Sequence, residues 1–177
     1  MKVIVISHTY ITELNRRKLR AISSMFTDAD IAVIVPRSWN PGGVQSKLVL
    51  SESIKKERFQ VLALPNVFKH NQALLCFGVE LLAFLREFRP DIIQVEQGAK
   101  SIAYAQIIML NWLFKLKAKN VFFTWWNVPY SNNILISALE QFNLSASDGL
   151  IAGNADAVKI LSDHGYSAAV RSRFGAL

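Results

Sequence analysis

The chain has 177 residues, 51% hydrophobic and 19% charged, with 20 lysines and arginines against 13 aspartates and glutamates. That length and apolar content suit one well-buried domain over residues 1–177 and exclude a disordered or low-complexity chain. The formal charge of +7 and pI near 9.7 favour anionic partners (phosphorylated small molecules, acidic lipid headgroups or nucleic acid), and a mean hydropathy of +0.24 points to a surface normally covered by something else.

The single cysteine, Cys76, permits no disulfide within the chain and, beside Leu75 and Phe77, reads as a small buried thiol. The apolar run after Lys2 is too short for a signal peptide. The longest apolar segments, 73–85 and 102–114, contain Glu80, Gln106 and Asn111 and fall short of the roughly 20 residues that span a bilayer. No transmembrane helix is expected, and the expected location is the cytoplasm, including the membrane periphery.

Residues 2–7 are rich in Val and Ile, as a central parallel strand is, and Ser7-His8-Thr9-Tyr10 leaves that strand. Thr12 is placed to cap a helix over 13–26 with Glu13 in its first turn. On that helix Leu14, Ala21, Ile22, Met25 and Phe26 fall on one face and Arg16, Arg17 and Arg20 gather on the other. Residues 30–35 form a second strand, 36–43 a loop, and 47–53 and 59–64 two further strands around a charged turn. A helix over 72–88 is expected to stop at Arg89-Pro90. From there the pattern is strand 91–95, helix 99–116, strand 120–124, helix 132–143, strand 149–152, helix 155–164 and a last strand near 167–170. Strands separated by helices of that length predict a Rossmann-like α/β/α sandwich with a mainly parallel sheet.

In such a sheet the loops after the strands open on one edge, where ligands collect. The candidates for substrate contact are therefore His8, Thr9 and Tyr10 after the first strand, Glu96, Gln97 and Gly98 after the strand at 91–95, Trp125, Trp126, Asn127 and Tyr130 after the strand at 120–124, and Asn154 after the strand at 149–152. Glu96 suits sugar hydroxyls or base catalysis, or is a solvated or salt-bridged loop acid; Gly98 beside it lets a ligand approach the backbone. Asn154 reads as a helix cap as well as a ligand contact. Trp125 and Trp126 suit stacking on a sugar ring or contact with a lipid. Because consecutive residues of an extended chain point to opposite faces, at most one of them is expected to face the cleft, the other joining the core. Arg16, Arg17 and Arg20 are either a solvated helix face or a contact for anionic lipid or phosphate. His70 and His164 have no partners at metal-ligand spacing, and no metal site is expected. The basic residues are scattered with no recognition motif, so nucleic acid is not an expected partner. The chain lacks a Gly-x-Gly-x-x-Gly after its first strand, a Walker A loop and a Gly-x-Ser-x-Gly elbow.

At Arg89-Pro-Asp-Ile-Ile-Gln-Val-Glu-Gln-Gly98, Thr124-Trp-Trp-Asn127 and Ser147-Asp-Gly-Leu-Ile-Ala-Gly-Asn154, the sequence resembles the N-terminal domain of GT-B glycosyltransferases of the retaining family 4 type. The order of these motifs carries the resemblance more than any one of them. It implies a domain that binds a sugar or lipid-linked acceptor and works with a C-terminal domain for the nucleotide-sugar donor, transferring the sugar with retention. The paired glutamates with seven residues between them that mark the donor half are absent, so the chain is expected to be inactive alone and to need no cofactor. Ser7-His8-Thr9-Tyr10 stands where many members have glycines, and Trp125-Trp126-Asn127 where many have a histidine, so no catalytic residue is assigned. The alternatives are a standalone Rossmann-like binding module for a phosphorylated or sugar ligand and a module that binds a membrane or protein.

Overall fold

A computed structural model describes residues 1–41 and 47–166. The expected last strand near 167–170 lies outside the described residues. The main elements are β1 (Lys2–Ile6), α1 (Glu13–Met25), β2 (Asp30–Pro36), β3 (Ser38–Trp39), β4 (Val49–Leu50), β5 (Ile54–Lys55), β6 (Phe59–Leu64), β7 (Asn66–Val67), β8 (Cys76–Phe77), α2 (Glu80–Phe88), β9 (Ile92–Val95), α3 (Ile102–Leu113), β10 (Lys119–Thr124), α4 (Ile134–Ser145), β11 (Gly149–Ala152) and α5 (Ala155–Asp163), with a 3-10 turn at His8–Ile11.

The seven-stranded sheet runs β11-β10-β9-β1-β2-β6-β5 and is parallel throughout except at β5, which pairs antiparallel with β6. Side-chain alternation divides the core between its faces. Ile4, Ile6, Ile93, Val95 and Phe122 pack with residues of α2, α3, α4 and α5, while Val5, Val33, Val35 and Val61 pack with Leu19 of α1 and Tyr10. This is a Rossmann-like three-layer arrangement. The chain moves from β1 to β2 in one direction across the sheet and from β9 to β10 in the other, so the strand order reverses between β1 and β9.

Three expectations need correction. The helix expected over 72–88 begins only at Glu80. Ahead of it the Asn71 side chain accepts from the amides of Ala73 and Leu74, and the Gln106 amide bonds both the N–H and the C=O of Phe77 at 3.0 and 2.8 Å. Side chains thus occupy backbone groups that a helix would pair with itself. Second, the apolar face of α1 is not its buried face: Arg16, Leu19 and Ser23 point inward, while Leu14, Ile22, Met25 and Phe26 are exposed. Arg16 is buried because its guanidinium donates to the carbonyls of Tyr10 at 2.6 Å and Ile11 at 2.7 Å, closing the turn that enters the helix. Third, Cys76 is half-buried rather than buried, and desolvation raises its thiol pKa. Thr12 occupies the cap position of α1 without a side-chain cap bond, whereas Ser101, Asn133 and Asn154 cap α3, α4 and α5 through side-chain oxygens. No described helix is long and apolar enough to cross a membrane.

Candidate functional site

The loops after β1, β9 and β10 meet over the reversal of strand order and bound an open cavity of about 1040 Å3. That is the position where parallel α/β sheets bind ligands, because helices cannot cover the crevice between loops that diverge to opposite sides. The loops are tied to one another at the edge: the Glu96 amide donates to Ile6 O at 2.9 Å, the Ser7 hydroxyl donates to Glu96 O at 3.1 Å, and the Gly153 amide donates to Thr124 O at 2.9 Å.

Glu96 is the best-defined polar group of the cavity. Its Oε1 accepts from the Tyr10 hydroxyl at 2.7 Å and from Gln94 Nε2 at 2.7 Å, with the Lys18 ammonium at 3.6 Å. Its Oε2 has no partner among the described residues, and the side chain is 9% exposed at the cavity wall, so one oxygen is anchored and the other unpaired. Tyr10, expected as a ligand contact, is 1% exposed and acts as the strut of this carboxylate. Burial and the adjacent Glu96 carboxylate push its phenol pKa far up, so it stays a donor.

Beside it, His8 Nδ1 bonds Gln97 Oε1 at 3.1 Å and the imidazole packs on Trp39 with ring centroids 4.7 Å apart. Desolvation lowers the His8 pKa, against the opposing pull of Gln97, so the ring is neutral at pH 7. Gln97 is buried, and its Nε2 has no partner among the described residues. Gly98 has φ +82°, a left-handed backbone that glycine adopts without strain. Thr9 is exposed at the cavity edge.

Trp125 and Trp126 both line the cavity and are 63% and 57% exposed, which overturns the expectation that one of them is core. The strand alternation ends at Thr124, whose hydroxyl accepts from the Trp126 amide at 3.1 Å and turns the chain. Both indoles are nonetheless held. Trp125 lies over Gly153, where a Cβ would overlap its ring, and edge-on to Phe123; Trp126 donates from Nε1 to Val128 O at 2.6 Å and meets Tyr130 edge-on. Asn127 and Tyr130 complete that wall.

The wall is pinned from behind by Glu140, whose side chain is 1% exposed and bonds the Tyr130 hydroxyl, Asn132 Nδ2 at 2.7 Å and His164 Nδ1 at 2.8 Å. Burial, with Glu140 beside it, also raises the Tyr130 phenol pKa. Lys100 lies 3.5 Å from the Tyr130 ring centroid, a cation held on an aromatic face.

Asn154 does not line the cavity; it caps α5 by accepting from the Ala157 amide at 2.8 Å and donates to Trp125 O at 3.1 Å. The arginine stripe is likewise no continuous anion surface, since Arg16 is buried and Arg20 pairs with Glu13 at 2.7 Å, leaving Arg17 exposed. Sequence reasoning missed Leu14, Lys18, His70, Gln72 and Lys100 as cavity residues. Lys18 was hidden by its place within a helix, although its ammonium reaches both Glu96 and the rings of Tyr10 and Phe123. The Gln72 side chain donates to Gln97 O at 3.1 Å across 25 residues, which no local pattern signals. Among the described residues no three His, Cys, Asp or Glu side chains come together as metal ligands.

No protein-family model matches the chain, and no curated protein sequence matches it.

Proposed function

We propose that this chain is the acceptor-binding half of a glycosyltransferase that moves a sugar from a nucleotide-sugar donor with retention. The observation that carries the reading is Glu96: one oxygen is fixed by Tyr10 and Gln94, the other has no partner among the described residues, and the side chain lines a cavity walled by two exposed tryptophans. An anchored carboxylate accepts hydroxyl donors without having to be ordered on binding, and indole faces stack on sugar rings. The resemblance of residues 89–98, 124–127 and 147–154 to GT-B N-terminal domains supports it. In this reading the donor, and the groups that stabilise its leaving diphosphate, belong to a second domain, so this chain positions the acceptor and does not catalyse.

A standalone binding module for a sugar or phosphorylated ligand is the competing reading, favoured by Lys100, whose ammonium has no carboxylate partner among the described residues. Saturation-transfer NMR of the chain with hydroxylated glycosides, nucleotide sugars and sugar phosphates separates the two. The transferase reading expects glycoside binding that Glu96→Gln weakens about tenfold, with no turnover of nucleotide sugars by the chain alone. Turnover, or binding of sugar phosphates in preference to neutral glycosides, overturns it. A reading frame that continues into a second βα domain carrying Glu-x7-Glu supports it further.

A further inference from the structure

We propose that the acceptor is an acidic sugar, whose hydroxyls bond Glu96 and whose single carboxylate meets the Lys100 ammonium beside Trp126 and Tyr130. The inference rests on reading Glu96 as a hydroxyl-binding group and adds the charge. It begins with a cation that has no counter-charge among the described residues. The lysines and acids that line the cavity are Lys18, Lys100 and Glu96. Lys18 lies 3.6 Å from Glu96, whereas Lys100 pairs with no carboxylate among the described residues. Its neighbours in sequence offer none, because no aspartate or glutamate occurs from Gln97 to Leu139. One lysine charge in the cavity is therefore uncompensated. It sits on a half-buried side chain, where attraction for an anion is screened less than at an open surface.

The position of that charge ties it to a sugar. The Lys100 ammonium lies 3.5 Å from the Tyr130 ring centroid and 5.9 Å from that of Trp126, so it stands beside an exposed indole suited to stacking. An aromatic face steadies an ammonium but carries no net charge, and leaves it able to bond an anion. The same stretch of chain holds donors without acceptors. Gln97 is 3% exposed; its Oε1 is held by His8 Nδ1, and its Nε2 has no partner among the described residues. The amides of Gly98, Ala99 and Lys100 have no acceptor among the described residues either. All four residues line the cavity just ahead of α3, whose first turn adds a partial positive charge. Buried donors are seldom left unmet, and an anion satisfies several at once. The charges present select a carboxylate over a phosphate. One free ammonium matches a carboxylate, whereas a phosphate monoester carries about −1.5 to −2 at pH 7. Its excess charge would enter a cavity that already holds the Glu96 carboxylate, with Lys18 engaged there.

The test titrates matched methyl glycosides into the full chain by calorimetry: glucuronide with glucoside, galacturonide with galactoside, and mannuronide with mannoside. The corresponding uronamides serve as neutral isosteres, and glucose 1-phosphate as the dianion. At least one uronide is expected to bind roughly tenfold more tightly than both its neutral glycoside and its uronamide, the factor that a charge-assisted hydrogen bond supplies at a half-buried site. Lys100→Met keeps an apolar stem on Tyr130 and removes the charge. It is expected to cut that preference below about threefold while leaving the neutral glycoside within about twofold, and Lys100→Arg is expected to keep the preference. Equal affinity of uronides, uronamides and neutral glycosides, or a preference untouched by Lys100→Met, overturns the acidic acceptor while the hydroxyl site stands. Glucose 1-phosphate bound more tightly than every uronide overturns the match to a single charge, and the acidic acceptor with it. No binding by any glycoside, or neutral glycosides unaffected by Glu96→Gln, overturns the hydroxyl site and the inference that rests on it.

Discussion

Removing the Tyr10 hydroxyl tests whether Glu96 is held as described. Tyr10→Phe keeps the ring, which is 1% exposed, and deletes only the donor 2.7 Å from Glu96 Oε1. A hydrogen bond to a charged group contributes about 1.5–3 kcal/mol. The carboxylate keeps Gln94 at 2.7 Å and Lys18 at 3.6 Å, but the Lys18 side chain is 56% exposed, so its share is screened to about 0–1 kcal/mol and cannot replace the lost donor. The expected loss is therefore about 2 kcal/mol, or roughly 4–8 °C in melting temperature for a chain of this size. Urea denaturation of Tyr10→Phe in the wild-type and Glu96→Ala backgrounds measures it as a double-mutant cycle. In the Glu96→Ala background the second change is expected to cost nothing or to stabilise, because the phenol has by then lost its acceptor. An equal cost in both backgrounds refutes the strut and returns Tyr10 to the pool of ligand contacts.

Two other predictions concern the same site. Burial lowers the His8 pKa from 6.5, so the unfolded chain binds more protons than the folded one in the window below 6.5; the stability due to keeping this ring neutral is complete above 6.5 and is lost as pH falls through that window. NMR titration is expected to give His8 a pKa below 6.5, and a value at or above it refutes the assignment. Glu140→Ala leaves the Tyr130 hydroxyl, Asn132 and His164 without their shared acceptor in a site that is 1% exposed, and is expected to cost about 3 kcal/mol or more in urea denaturation; a loss under 1 kcal/mol shows that the wall does not depend on this carboxylate.

The sequence by itself determined the parallel α/β architecture, because Val- and Ile-rich runs such as 2–6, 30–36 and 92–95 alternate with helix-length segments, and strands joined that way lie parallel with helices packed on their faces. It also determined which loops share an edge, since parallel strands carry all their carboxyl ends to one side; hence His8, Glu96, Gln97 and Trp126 were readable as neighbours although 118 positions separate the first from the last. Only the tertiary structure decided what each of them does there. Tyr10 and Glu96 look alike as loop residues, yet one is a fully buried strut and the other the carboxylate it holds at the cavity wall, because which side of a loop faces the core depends on the helix packed over it. The segment ahead of α2 carried a helical pattern that long-range side-chain bonds from Gln106 overrode. On α1 the local periodicity named the apolar face correctly but not its direction: Arg16 finds two backbone carbonyls at the turn from Tyr10 to Ile11, and that pairing turns Leu14, Ile22, Met25 and Phe26 outward. Periodicity reports which residues share a face; which face is buried is settled by the partners it meets, and those lie elsewhere in the chain.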